Sequence, residues 1–180
     1  KTASGNLNVA GNFTNNMTND ASNYPNFTGA TVSFNGTTQT LNAGSGNGTT
    51  FTNVNFSGNG TKTMSSGMFY ISKSGVLTMQ GSSSSTILAA NGNLTLLSVS
   101  SGSASIAAIP TGPSITGTVN VQRYITGGSG YRSYRLTSSP VYAGTVSSNN
   151  VYSINYLQNS IYLTGDAGGG FDKTGNPTLY

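Results

Sequence analysis

The sequence predicts an all-β protein: a right-handed parallel β-helix (β-solenoid) over residues 1–121, then a β-rich capping or junction region over residues 122–180. Three observations lead there. A short apolar–polar–apolar motif returns along the chain with a loose period of about 23 residues, in the range of stacked repeats. No stretch carries the apolar spacing of an amphipathic helix. Charged residues are only 6% of the chain, so Asn, Ser, Thr and Gly must supply its polar surface.

The motif first appears as GNLNVAG, with Leu7 and Val9 apolar. It returns as ATVSFNG (Val32, Phe34), TNVNFSG (Val54, Phe56) and GVLTMQG (Leu77, Met79). The last two copies are GNLTLLS (Leu94, Leu96) and GTVNVQR (Val119, Val121). The first apolar positions are spaced by 25, 22, 23, 17 and 25 residues. Strict alternation marks a strand with one buried face. Segments rich in Gly, Asn and Thr, such as NGTTQT and SGNGTK, punctuate the strands as turns. Weaker strand candidates at 61–67 and 68–72 lie between the copies and are expected on other faces of the same coil. An antiparallel sandwich also uses many short strands. The return of one motif per coil favours the solenoid.

This composition suits stacked coils. Neighbouring strands lie about 4.8 Å apart, and equivalent side chains pile into ladders along the axis. Like charges would stack on one another, so few are tolerated. The repeat fades near residue 121, after the loop AAIPTGPSITG at 107–117, with Pro110 and Pro113. The texture then changes to GYRSYRLTSSPV, which places Arg132 and Arg135 beside Tyr131 and Tyr134.

Composition excludes several chemistries. The chain has no Cys and no His, hence no disulfide framework, no zinc–thiolate cluster, and neither Ser-His-Asp nor Cys-His catalysis. Its only carboxylate side chains are Asp20, Asp166 and Asp172. The net charge of +4 reflects scarce acids, and the seven Lys and Arg form no basic stripe for nucleic acid. No apolar run is long enough to span a membrane. The first residues lack the apolar core of a signal peptide, so an exported protein would be present here as a mature fragment.

The stretches LTLLSVSSGSASIAAIPTGPSITGTVNVQRYI, YRSYRLTSSPV and GGGFDKTGNPTLY resemble segments of very large extracellular β-helical repeat proteins of Bacteroidota, of the adhesin or gliding type. The resemblance implies a β-helical region giving way to a V-x-R-Y-I strand, here Val121, Arg123, Tyr124 and Ile125. It also implies export by type IX secretion, directed by a C-terminal sorting domain that this fragment lacks. Gln122 stands where that pattern usually has an acid.

Each candidate site has two readings. Arg123, Tyr124, Tyr131, Arg132, Tyr134 and Arg135 could contact a glycan or an anionic partner through stacking and forked hydrogen bonds. As architecture, the same residues would cover the last coil and bond its free carbonyls. The cap is favoured. Asp166 and Asp172, in GDAGGGFDKTG, could be weak metal ligands or a carboxylate pair. Calcium wants six to eight oxygens, and a Gly-rich loop is a poor place to raise a catalytic pKa, so a solvated turn is favoured. Phe51, Phe56, Phe69 and Tyr70 could line a sugar groove, but such aromatics more often fill a core. No cofactor is expected.

The expected function is a non-catalytic, secreted or cell-surface structural or adhesin segment, outside the outer membrane. Its partners would be the type IX translocon, other surface proteins or surface glycans. The alternative is a polysaccharide-active β-helix enzyme or a carbohydrate-binding module.

Overall fold

The computed structural model describes residues 5–17, 26–46, 48–125, 158, 163–165 and 173–174. The chain divides into two compact units, Lys1–Gly127 and Gly128–Tyr180. The first is a parallel β-solenoid of about four turns.

The solenoid alternates between two sheets. Along the chain run β1 (Gly5–Val9), β2 (Phe13–Thr14), β3 (Asn26–Phe34), β4 (Gln39–Asn42), β5 (Thr49–Phe56) and β6 (Gly60–Ser66). There follow β7 (Phe69–Met79), β8 (Thr86–Ala89), β9 (Leu94–Leu96), β10 (Ser98–Val99), β11 (Gly102–Ser103) and β12 (Ser105–Ile106). β13 (Ser114–Thr116) and β14 (Val119–Val121) close the unit. The larger sheet has the order β1-β3-β5-β7-β9-β14, with β12 also on β7. The smaller has the order β2-β4-β6-β8-β13. Neighbours in both sheets pair in parallel, as coils stacked on coils require.

Register explains the repeats. Leu7 pairs with Val32, Val32 with Val54, Val54 with Leu77, and Leu77 with Ile106. A second ladder runs Phe27, Phe51, Ile71, Leu96 and Val121. Both ladders cross the long strands β3, β5 and β7, separated by register shifts between Phe27 and Thr31 and between Phe51 and Asn53. Leu77 and Leu94 therefore do not stack: Leu94 pairs with Phe69 below it and Val119 above. The spacing of 17 residues joins two ladders rather than measuring a short coil. The antiparallel β10–β11 hairpin is inserted between β9 and β12, which pair with the two halves of β7.

Val32, Phe34, Val54, Phe56, Leu77, Met79, Leu94 and Leu96 all point into the core, as alternation predicts. Val9 packs against that core, half-buried. Leu7 shares their register but is 40% exposed, because β1 is the edge strand of the sheet among the described residues. Phenylalanines form the spine of the interior. Phe34 lies over Phe56, and Phe51 over both Phe27 and Phe69, as near-parallel stacks with centroids 5.4–6.2 Å apart. The candidate at 61–67 falls on the smaller sheet in β6, a second face as expected. The candidate at 68–72 instead runs into the same strand as Leu77, across the register shift.

Glycine is required where coils touch at their corners. Gly67 has φ +69°, and a Cβ there would sit 2.2 Å from the Gly44 carbonyl oxygen in the neighbouring coil. In the second unit, the described residues include a short parallel pair, β15 (Thr164–Gly165) with β16 (Lys173–Thr174), and the buried Leu163.

Candidate functional site

At the corner where the chain passes from the smaller sheet back to the larger, three coils frame a cleft of about 540 Å³. Asn15 and Met17 come from one coil, Asn42 and Ser45 from the next, Ser66 and Met68 from the third. The chain makes this hollow because the corner is built of Gly and Ser, which project little into it.

Asn15 holds the cleft's inner wall. It is buried, and its Nδ2 donates to the Ala43 carbonyl at 3.1 Å and to Thr49 Oγ1 at 3.2 Å. Its Oδ1 accepts from the Met17 backbone N–H at 2.9 Å. Asn42 Oδ1 likewise accepts from the Gly44 N–H at 2.8 Å. The lining is amide, hydroxyl, backbone and thioether, with no ionisable side chain. It offers hydrogen bonds and two apolar methionine flanks to a neutral polar ligand, and no general acid, base or nucleophilic carboxylate.

Two further polar side chains point inward at the opposite corner. Lys62 is fully buried on β6. Its Nζ donates to the carbonyls of Gly58 at 2.7 Å, Gly60 at 3.3 Å and Asn59 at 3.4 Å. Three acceptors match the three ammonium protons. Desolvation by burial pushes its pKa below the ordinary value. Gln39, its register partner in the neighbouring coil, is also buried. Gln39 Nε2 donates to the carbonyls of Val9 and Gly11, while its Oε1 accepts from the Gly36 N–H at 3.0 Å. Among the described residues every buried side-chain nitrogen or oxygen has a partner. Lys62 and Gln39 tie corner carbonyls and are sealed from solvent, so they serve the coil rather than a reaction.

Of the residues singled out by sequence, Arg123 and Tyr124 lie at the end of β14, beside the β10–β11 hairpin. Arg123 Nη1 donates to the Gln122 carbonyl at 2.8 Å. The Tyr124 N–H donates to Ser98 Oγ at 2.9 Å, and its side chain is 51% exposed. Gln122 Oε1 accepts from the Ser98 N–H at 3.3 Å. The structure places both Arg123 and Tyr124 far along the chain from the cleft and gives neither a part in its lining. Tyr131, Arg132, Tyr134, Arg135, Asp166 and Asp172 lie outside the described residues. Phe51, Phe56 and Phe69 fill the core, whereas Tyr70 stands half-buried on the outer face between Thr50 and Thr95.

Sequence reasoning missed Asn15, Gln39 and Lys62. For Lys62 the signal was present: Met64 faces the core, so alternation carries Lys62 inward as well. Among the described residues no three His, Cys, Asp or Glu side chains gather to hold a metal ion, and no helix is long and apolar enough to cross a membrane. Comparison with known protein families, with characterised proteins and with solved structures yields no match.

Proposed function

We propose that this chain is a segment of a non-catalytic, secreted or cell-surface structural or adhesin protein, exported by type IX secretion. The solenoid acts as a stiff spacer that holds other parts of the protein away from the cell. One observation carries the reading: coil after coil pairs in parallel, with its corner carbonyls tied by Asn15, Gln39 and Lys62. Such a stack bends little, because each rung is bonded to the next. The resemblance of residues 94–125, 131–141 and 168–180 to Bacteroidota surface proteins supplies the compartment and the export route.

The cleft lined by Asn42, Ser45 and Ser66 favours a second reading alongside the first, a carbohydrate-binding role toward neutral surface glycans. Amide and hydroxyl groups suit sugar hydroxyls, and the neutral lining suits an uncharged ligand.

Protease shaving and antibody labelling of intact cells that make the protein test the first reading. Labelling that disappears when the type IX translocon is inactivated supports it; residence in the cytoplasm overturns it. A neutral-glycan array probed with the wild-type chain and with Ser66→Trp tests the second. Binding abolished by the cleft-filling variant supports it, and an unchanged or empty array removes it. Cleavage of any polysaccharide by the purified chain would replace both with an enzyme.

A further inference from the structure

The sequence contains four Asn-Gly pairs, and all four fall within the first 92 residues. Asn-Gly is the dipeptide most prone to deamidate. The glycine amide nitrogen loses its proton and attacks the Asn side-chain carbonyl carbon. The bond from that carbon to the side-chain nitrogen breaks, and ammonia leaves with the proton. Water then opens the resulting succinimide to aspartate or isoaspartate. The reaction needs only water, and it needs the glycine nitrogen free to swing onto the side chain. A chain assembled around Asn-Gly turns is exposed to this chemistry unless its fold prevents it.

Three of the pairs lie wholly within the described residues, and in each the attacking nitrogen is held by a neighbour. The Gly36 N–H donates to Gln39 Oε1 at 3.0 Å. The Gly60 N–H donates to the Ser85 carbonyl at 2.8 Å, and the Gly92 N–H to the Thr118 carbonyl at 2.9 Å; both acceptors lie in the next coil. At Asn91 the side chain is held too, since its Nδ2 donates to the Met64 carbonyl at 3.4 Å. The fourth pair is Asn47–Gly48, and Asn47 lies outside the described residues.

We propose that Asn35–Gly36, Asn59–Gly60 and Asn91–Gly92 are latent modification sites, kept as asparagine by coil stacking and converted to aspartate or isoaspartate where stacking is lost. Each conversion lowers the formal net charge of +4 by one. The coils touch closely at this corner: a Cβ on Gly58 would lie 2.6 Å from the Asn35 carbonyl oxygen, and one on Gly60 2.0 Å from that of Thr37. The three locks are not alike. Gly60 and Gly92 are held by the backbone of another coil, and they open only when that coil leaves. Gly36 is held by one side chain, so Gln39 is the residue that protects Asn35.

Peptide mapping by mass spectrometry after incubation at mildly alkaline pH tests this. In the folded chain Asn35, Asn59 and Asn91 should persist, and in urea all three should convert. Gln39→Met keeps the apolar bulk but removes the acceptor. It should raise the rate at Asn35 about tenfold and leave Asn59 and Asn91 unchanged, the size expected for one lost hydrogen bond. Folded protein that deamidates at these sites as fast as unfolded protein overturns the proposal. So does a Gln39→Met chain that melts cooperatively and leaves the Asn35 rate unaltered. If that variant unfolds and all three sites convert together, hydrogen exchange on the wild type decides. Protection of the Gly36, Gly60 and Gly92 amides must then rank the three deamidation rates, and a protected amide beside a fast-converting Asn refutes the idea.

Discussion

The ring of Phe34 lies over that of Phe56 in the neighbouring coil, with centroids 5.4 Å apart and planes 15° from parallel. Both side chains are completely buried. Their backbones are register partners in β3 and β5, so the rung spacing and the ring stacking reinforce each other. Phe56→Ala removes the ring from a core that cannot close around it. It should cost about 3–5 kcal/mol, read as a fall in the urea midpoint with the slope unchanged.

The Lys62 ammonium predicts how stability follows pH. Burial lowers its pKa in the folded chain, while the unfolded chain keeps the ordinary value of 10.5. As pH rises through the folded pKa toward that value, the unfolded state binds more protons and the folded state gains stability. The gain is complete above the unfolded pKa and is lost as pH falls back through the folded one. Lys62→Met should abolish this alkaline gain, seen as the difference between the two proteins' melting curves at neutral and alkaline pH. The comparison cancels whatever the two proteins share. At neutral pH the variant should be close to the wild type in stability, because a buried unpaired charge is removed along with its bonds.

Gly67→Ala should destabilise by roughly 2 kcal/mol or more. The residue sits at φ +69°, and the added methyl would meet the Gly44 carbonyl, a backbone atom of the next coil. Thermal unfolding monitored by circular dichroism reads the loss. The exposed Gly81, whose Cβ would meet nothing within 4 Å despite a φ of +102°, is the control for conformation without contact and should cost less.

Asn15→Ala deletes the donor that ties Ala43 and Thr49 and the acceptor that holds the Met17 N–H. The expected cost is about 1–3 kcal/mol. Hydrogen exchange should localise the loss to residues 15–17 and 42–49, leaving the amides of β7 protected.

Much of this fold is legible in the sequence, and the reason is periodicity. Val32, Phe34, Val54 and Phe56 alternate with Thr, Ser and Asn, and each pair lies one coil from the next, so pattern and stacking coincide. The pattern misleads at Leu77 and Leu94. GVLTMQG and GNLTLLS look like successive copies, yet they pair with different halves of the sheet, on either side of a register shift. Alternation within a strand is indifferent to which half it lies on. The halves are divided by register shifts and by the β10–β11 insertion, and neither leaves an apolar signature. Of the corner residues, Asn15 and Gln39 are hidden among many other Asn, Gln and Thr, and only their depth distinguishes them. Lys62 is hidden by a sound rule, that lysine faces water, which three carbonyls at the end of its reach override. The cleft was not legible, because it is a space left between coils by small residues rather than a motif.

The parallel ladders also fix how this rod would yield to a pull. Its backbone hydrogen bonds run along the rod axis, from Val32 to Val54 to Leu77 and onward. Tension applied at the end of the stack loads only the outermost rung, and the bonds of that rung open before those beneath it feel the load. Each coil adds about 4.8 Å to the folded rod. The 23 residues between Val54 and Leu77 extend to roughly 80 Å once freed. Under load the stack would lengthen in steps many times the rung height, dissipating work one coil at a time.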